Sequence, residues 1–244
     1  MKFKKIQALF PAFVLAFSML AGCSSNSADT KKTTAAPSTE SVASTTDNEP
    51  DNEADAKQLL TDLTGSYQEL WPVILDDQYT QTWLDDCKEL VGEENAQAAY
   101  EKLASMVTGE VYGEDAVKAY ADGGGAYYCA FTEGVNTLEF DGSSSTIKGF
   151  DKDGNELFSH TYHFVGMEEI RGLYEYESDD ADSGEFTYFC IAPDTNTTTY
   201  HIELRYGSDL DALGKYDAGD YAYWLGSGIS TDYDQEMVEN CIEL

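Results

Sequence analysis

Gly123-Gly124-Gly125 divides the chain into two stretches whose apolar residues recur with different periods. Before it, Tyr79, Trp83, Cys87 and Leu90 fall at helical spacing through 77–91. Ala96, Ala99, Tyr100, Leu103, Met106 and Val107 do the same in the next stretch, and a shorter helix is predicted over 114–121. After the glycines, segments 126–131, 135–141, 145–150, 156–165, 170–177, 185–192 and 199–206 are rich in Tyr, Phe, Thr and Val and read as strands. Asp153-Gly154 marks a two-residue hairpin turn. A last helix is predicted over 232–242. Many short strands with tight turns predict an antiparallel sandwich or barrel, so the fold class is mainly β with helices (α+β). No internal repeat is present.

The first residues read as an address rather than as fold. Lys2, Lys4 and Lys5 precede an apolar run over 6–21 that ends in Leu20-Ala21-Gly22-Cys23. A basic start, a short apolar stretch and small residues before a cut site make a secretory signal over 1–22. The run is too short, and too broken by Pro11, for a spanning helix. The terminal motif resembles a bacterial lipobox, in which Cys23 is diacylated and becomes the new N-terminus. Residues 23–57 are rich in Ser and Thr, with no aromatic residue and Val42 as the one large aliphatic. Such a stretch buries too little to offset chain entropy and is read as an acidic tether. The domain is then expected over 58–244, held at the extracytoplasmic face of the cell membrane.

Charge narrows the partners. With 46 acidic against 14 basic side chains, the formal net charge is -32. A nucleic-acid partner is excluded, because that affinity comes from Lys and Arg neutralising phosphates. An anionic leaflet repels this surface too, so contact with the membrane is expected only through the lipid. Divalent metal, cationic partners and neutral ligands remain.

Four cysteines besides Cys23 are disulfide candidates: Cys87, Cys129, Cys190 and Cys241. They allow three pairings that sequence does not separate, and buried free thiols are an equal reading. No two are close enough for a C-x-x-C knuckle, which argues against zinc held by all four.

A family resemblance rests on several blocks in order. Leu63-Thr64-Gly65-Ser66-Tyr67-Gln68-Glu69-Leu70-Trp71-Pro72 resembles the opening strand segment of ZinT-type bacterial zinc-trafficking domains. Phe186 to Pro193, ending Ile191-Ala192-Pro193, is similar to the strand before that family's histidine hairpin. Tyr200-His201-Ile202-Glu203-Leu204-Arg205-Tyr206-Gly207-Ser208-Asp209 is similar to its H-F-R-Y-G-D strand. Tyr221-Ala222-Tyr223-Trp224 and segment 230–241 resemble its Tyr-rich turn and closing helix. The resemblance implies an antiparallel lipocalin/calycin-like barrel with an N-terminal helical segment and a C-terminal helix. It also implies capture or buffering of zinc, with a metal-importer component as a partner.

The same resemblance implies three histidine ligands, of which His201 matches the last. Phe189 and Thr199 occupy the other two positions and are not ligands. His160 and His163, three apart on one strand, point to opposite faces, so His163 alone is a candidate to join His201 in a rebuilt site. The other reading is a lipocalin-like module that has lost the metal and binds a small molecule or a cationic partner.

No catalytic motif stands out. Asp151-Lys152-Asp153-Gly154-Asn155 lacks the Gly and Glu of a calcium loop, and Gly226-Ser227-Gly228 lacks the spacing of a nucleophile elbow. Asp209, Asp211, Asp217 and Asp220 read as a solvated face. Tyr127, Tyr174, Tyr176 and Tyr188 read as sheet core, with a ligand cavity as the sharper alternative.

Overall fold

A computed structural model describes residues 52–121, 124–194 and 197–242. The expected leader, Cys23 and nearly all of the expected tether lie outside the described residues. The described residues begin with α1 (Asn52–Asp62), β1 (Gly65–Glu69) and the single turn α2 (Trp71–Ile74). Helices α3 (Thr80–Val91), α4 (Glu93–Val107) and α5 (Glu114–Ala119) follow, close to the helical spacing in the sequence. Then come β2 (Thr137–Asp141), β3 (Thr146–Phe150), β4 (Glu156–Met167), β5 (Tyr174–Ser178), β6 (Tyr188–Asp194) and β7 (His201–Gly207). The short α6 (Leu210–Leu213), β8 (Gly226–Ser230) and α7 (Gln235–Ile242) complete the order.

The strands pair in sequence order, each antiparallel to the next, and β8 pairs back onto β1. The result is a closed up-and-down barrel without free sheet edges, so the barrel alternative holds over the sandwich. Alternation puts Tyr67, Leu138, Phe140, Ile147, Phe158, Tyr162, Tyr176, Phe189, Ile202, Leu204 and Tyr206 on the inner face, where all are buried. Rings of the non-adjacent strands β4 and β6 meet across the interior, with Phe158 6.1 Å and Tyr162 5.2 Å from Phe189, and Phe189 lies 5.1 Å from its cross-strand partner Tyr206 on β7. The tyrosine-rich inner face is thus packed core, as in other small barrels whose side chains fill the lumen.

Both ends of the barrel are covered. At one, α1 inserts Ala56, Leu59 and Leu60, and the Tyr176 hydroxyl donates to the Ala56 carbonyl at 2.8 Å. At the other, Phe131 and Trp224 pack on Tyr206, whose hydroxyl accepts from the Thr132 amide at 2.6 Å and donates to the Thr132 carbonyl at 2.9 Å.

Three expectations are corrected. The expected start at 58 is too late, because Ala56, in the helix described from Asn52, is a fully buried contact that composition does not reveal. Segment 126–131 is not a barrel strand. Its backbone bonds to Met106, Gly109, Tyr223 and Leu225 and crosses the barrel end, touching β structure through isolated bridges at Tyr128 and through the Cys129 carbonyl, which accepts from the Ser227 amide of β8 at 3.0 Å. The strand expected over 170–177 starts at Tyr174, because the Glu168 carboxylate accepts from the Ile170 and Arg171 amides at 2.7 and 2.6 Å and holds a turn there.

Candidate functional site

The three histidines occupy three separate places. His160 pairs in register with Ile147 and faces inward at the end of the barrel, stacked on Phe158. Its Nδ1 is 2.9 Å from Asp180 Oδ2. His163 faces outward, with Nδ1 2.8 Å from Asp179 Oδ1. Two consecutive aspartates thus hold one strand from its two faces, as the spacing of three between these histidines implies.

His201 opens β7 on the outer face of the barrel. Ile202, Leu204 and Tyr206 point inward, so His201, Glu203 and Arg205 point outward. His201 is nevertheless only 7% exposed. It pairs in register with Ile229 of β8, which is also buried, and the Cys241 thiol of α7 donates to the nearby Thr199 carbonyl at 3.4 Å. Packing of helical segments over this outer face is what hides it.

The expected pairing of His201 with His163 is not realised. His163 lines up through Glu177 and Tyr188 with Gly207, at the far end of β7. His201 lies six residues further along, roughly 20 Å away by the rise of a strand, and three strands round the barrel. Phe189 faces the packed interior. Thr199 precedes β7, and Tyr200 between it and His201 has a φ of 42°, so the simple i, i+2 alternation does not extend back to Thr199.

Sequence reasoning missed Glu203. It stands two residues beyond His201 on the same outer face, with its side chain 26% exposed. Arg171 Nη1 approaches its Oε2 at 3.8 Å, a long contact for an ion pair. The same alternation rule that was applied to Thr199 finds this neighbour when it is run toward the C-terminus. Among the described residues, no group of three or more His, Cys, Asp and Glu side chains could hold a metal ion.

Of the two readings of the cysteines, the free-thiol one holds: Cys87, Cys129, Cys190 and Cys241 are all free thiols. Burial pushes the Cys129 and Cys190 thiols up to about 12, with Glu203 adding to the first and Glu175 to the second. These thiols are protonated at neutral pH and poor metal ligands unless the ion displaces the proton.

Elsewhere the acidic groups serve the backbone. Asp209 caps α6 by accepting from the Ala212 amide at 3.0 Å, and Asp211, Asp217 and Asp220 are exposed. Asp151 accepts from the amides of Asp153 and Asn155, which makes 151–155 a hairpin turn.

No protein-family model matches this chain. No curated protein matches it either. Among solved structures, it is similar to the Zn(II)-bound ZinT-like domain of Streptococcus pneumoniae AdcA. That match has 15% identity and a TM-score of 0.49, covering 76% of this chain and 89% of the other. Zn(II)-bound AdcA from the same organism matches with 15% identity and a TM-score of 0.44, over 75% of this chain and 34% of its own length.

Proposed function

We propose that this chain is a non-catalytic, ZinT-like domain that captures or buffers a divalent metal, zinc in the first place, at the outer side of the cell membrane, with diacylated Cys23 as its anchor. The observation that carries the reading is the His201–Glu203 pair: an imidazole and a carboxylate at i and i+2 on one face of β7, in a chain of net charge -32 that concentrates cations around itself. Imidazole and carboxylate are both ordinary zinc ligands.

The described residues fit two protein ligands rather than a closed centre, because Phe189 faces the core and Thr199 lies outside the strand alternation. Zinc sites with three or four protein ligands hold the ion tightly, whereas two ligands leave most of the coordination sphere to water. The function that follows is exchangeable capture, with Arg171 displaced from Glu203 as the ion arrives.

Calorimetric titration of the full chain with zinc in metal-free buffer tests this. One-to-one binding is expected, weakened at least about tenfold by His201→Ala and by Glu203→Ala, since even outer-sphere partners of a metal are worth about that much. His163→Ala and His160→Ala leave it unchanged. Binding that ignores His201 and Glu203 sinks the metal reading. The anchor is tested separately: Cys23→Ser should shift the chain from the membrane fraction to the medium, and retention on the membrane would refute lipidation at that residue.

A further inference from the structure

Where β1 ends at Glu69, the chain turns through Leu70 into α2, and a cleft of about 370 Å³ opens there. Its walls come from Trp71 and Leu75 on one side and from Val107 and Thr108, at the end of α4, on the other. Cys129 of the crossing segment also lines it, with its thiol beside the Trp71 side chain. The volume lies within the range of small-molecule sites, which run from about 300 to 1,000 Å³.

Among the described residues, Glu69 is the one charged residue lining this cleft, and no basic residue lines it. It is half-buried. Oε1 accepts from the Phe131 amide at 3.2 Å, and the other oxygen makes no hydrogen bond among the described residues. Burial raises its carboxyl above the usual carboxylate range, and the Phe131 amide pulls it partly back. A carboxylate partly withdrawn from water, with a spare acceptor and an aromatic wall beside it, is complementary to a cation that brings its own apolar surface. The strongly negative chain attracts such a molecule and repels its anionic analogues.

We infer that this cleft binds a small organic cation, a protonated amine or quaternary ammonium carried on an apolar body, with Glu69 as counter-ion and Trp71, Leu75 and Val107 as the apolar wall. The site uses neither His201 nor Glu203, so it stands or falls independently of zinc capture.

Three probes of nearly equal shape separate charge from shape: 2-phenylethylammonium, neutral 2-phenylethanol and anionic 3-phenylpropionate. Each is titrated into the full chain by calorimetry with EDTA present, which removes any metal contribution. The ammonium is expected to bind at least about tenfold tighter than the alcohol, and the carboxylate not to bind up to about 10 mM. Glu69→Gln brings the ammonium and the alcohol within about twofold of each other, and Trp71→Leu weakens both. Thr108→Trp, at the exposed rim, blocks both while leaving Glu69 and the core intact, which keeps the test sound if a Glu69 or Trp71 variant fails to fold. Equal binding of alcohol and ammonium, a preference that survives Glu69→Gln, binding indifferent to Thr108→Trp, or no binding of the ammonium up to about 10 mM each overturns the inference.

Discussion

Arg205→Ala is expected to remove about 3–5 kcal/mol of stability and to lower the thermal midpoint by roughly 10 °C. Arg205 is fully buried on the outer face of β7, and among the described residues no carboxylate forms an ion pair with it. Its guanidinium donates instead to the carbonyls of Leu213, Lys215 and Tyr221, and its charge sits 4.4 Å from the centre of the Tyr216 ring. Arg171 approaches that ring at 4.6 Å, so one tyrosine takes two guanidinium contacts. Burial depresses the Arg205 pKa, the Tyr216 side chain partly opposing this, and an arginine remains protonated under all ordinary conditions. One side chain therefore ties the 213–221 segment to the barrel. Alanine leaves several buried carbonyls without a donor and opens a cavity between segment and sheet. Lysine keeps the charge but lacks the planar fork that reaches separate acceptors, so Arg205→Lys should lose about half as much. Urea unfolding checks both: the midpoint should fall with the slope unchanged. A loss below about 1 kcal/mol for Arg205→Ala would show that the loop is held by something else. Arg205 is two residues from Glu203, so a loosened segment should also weaken zinc capture.

The parts of this fold that were legible in the sequence are those whose causes are local. Leu138 and Phe140, or Ile202, Leu204 and Tyr206, alternate because one face of each strand is buried, and that period survives in the chain itself. The opposite faces of His160 and His163 follow from the same rule. β8 was not legible. Gly226-Ser227-Gly228 is poor strand sequence, and the reason for it lies in distant residues: a Cβ on Gly228 would meet Phe131 at 3.0 Å and Ile202 at 3.2 Å. Segment 126–131 misled in the opposite direction. Its aromatic pattern is that of a strand, but its backbone hydrogen bonds are scattered over Met106, Gly109, Tyr223, Leu225 and Ser227 and form no ladder with a neighbouring strand. Among the site residues, Glu203 was within reach of the alternation rule. The separation of His201 from His163 was not, because it depends on how β4 to β7 slide past one another, and register is a property of pairs of strands. Glu69 gave no sequence signal at all, since only the turn into α2 and the end of α4 make it a cleft residue.

Gly142→Ala is expected to cost about 2–3 kcal/mol, chiefly by lifting α1 off the end of the barrel. Gly142 lies in the turn after β2, and a Cβ there would overlap the backbone of Leu60 and Thr61, which cannot step aside as a flexible side chain would. The Gly142 amide donates to Thr64 Oγ1 at 3.1 Å, and the Tyr176 hydroxyl donates to Ala56, so displacing α1 breaks polar contacts as well as apolar ones. Gly154→Ala is the matching control: at φ 80° it takes on the strain of a left-handed backbone, about 1 kcal/mol, but nothing lies within 4 Å of the new methyl group. Limited proteolysis should cut Gly142→Ala near 52–62 well before the control, and its thermal midpoint should fall further. Equal behaviour of the two variants would mean that α1 is dispensable. The same reasoning makes residue 52 a better starting point for a stable domain than residue 58. A chain trimmed at 58 loses Ala56 and leaves the Tyr176 hydroxyl buried without its acceptor, which exposes one end of an otherwise filled barrel.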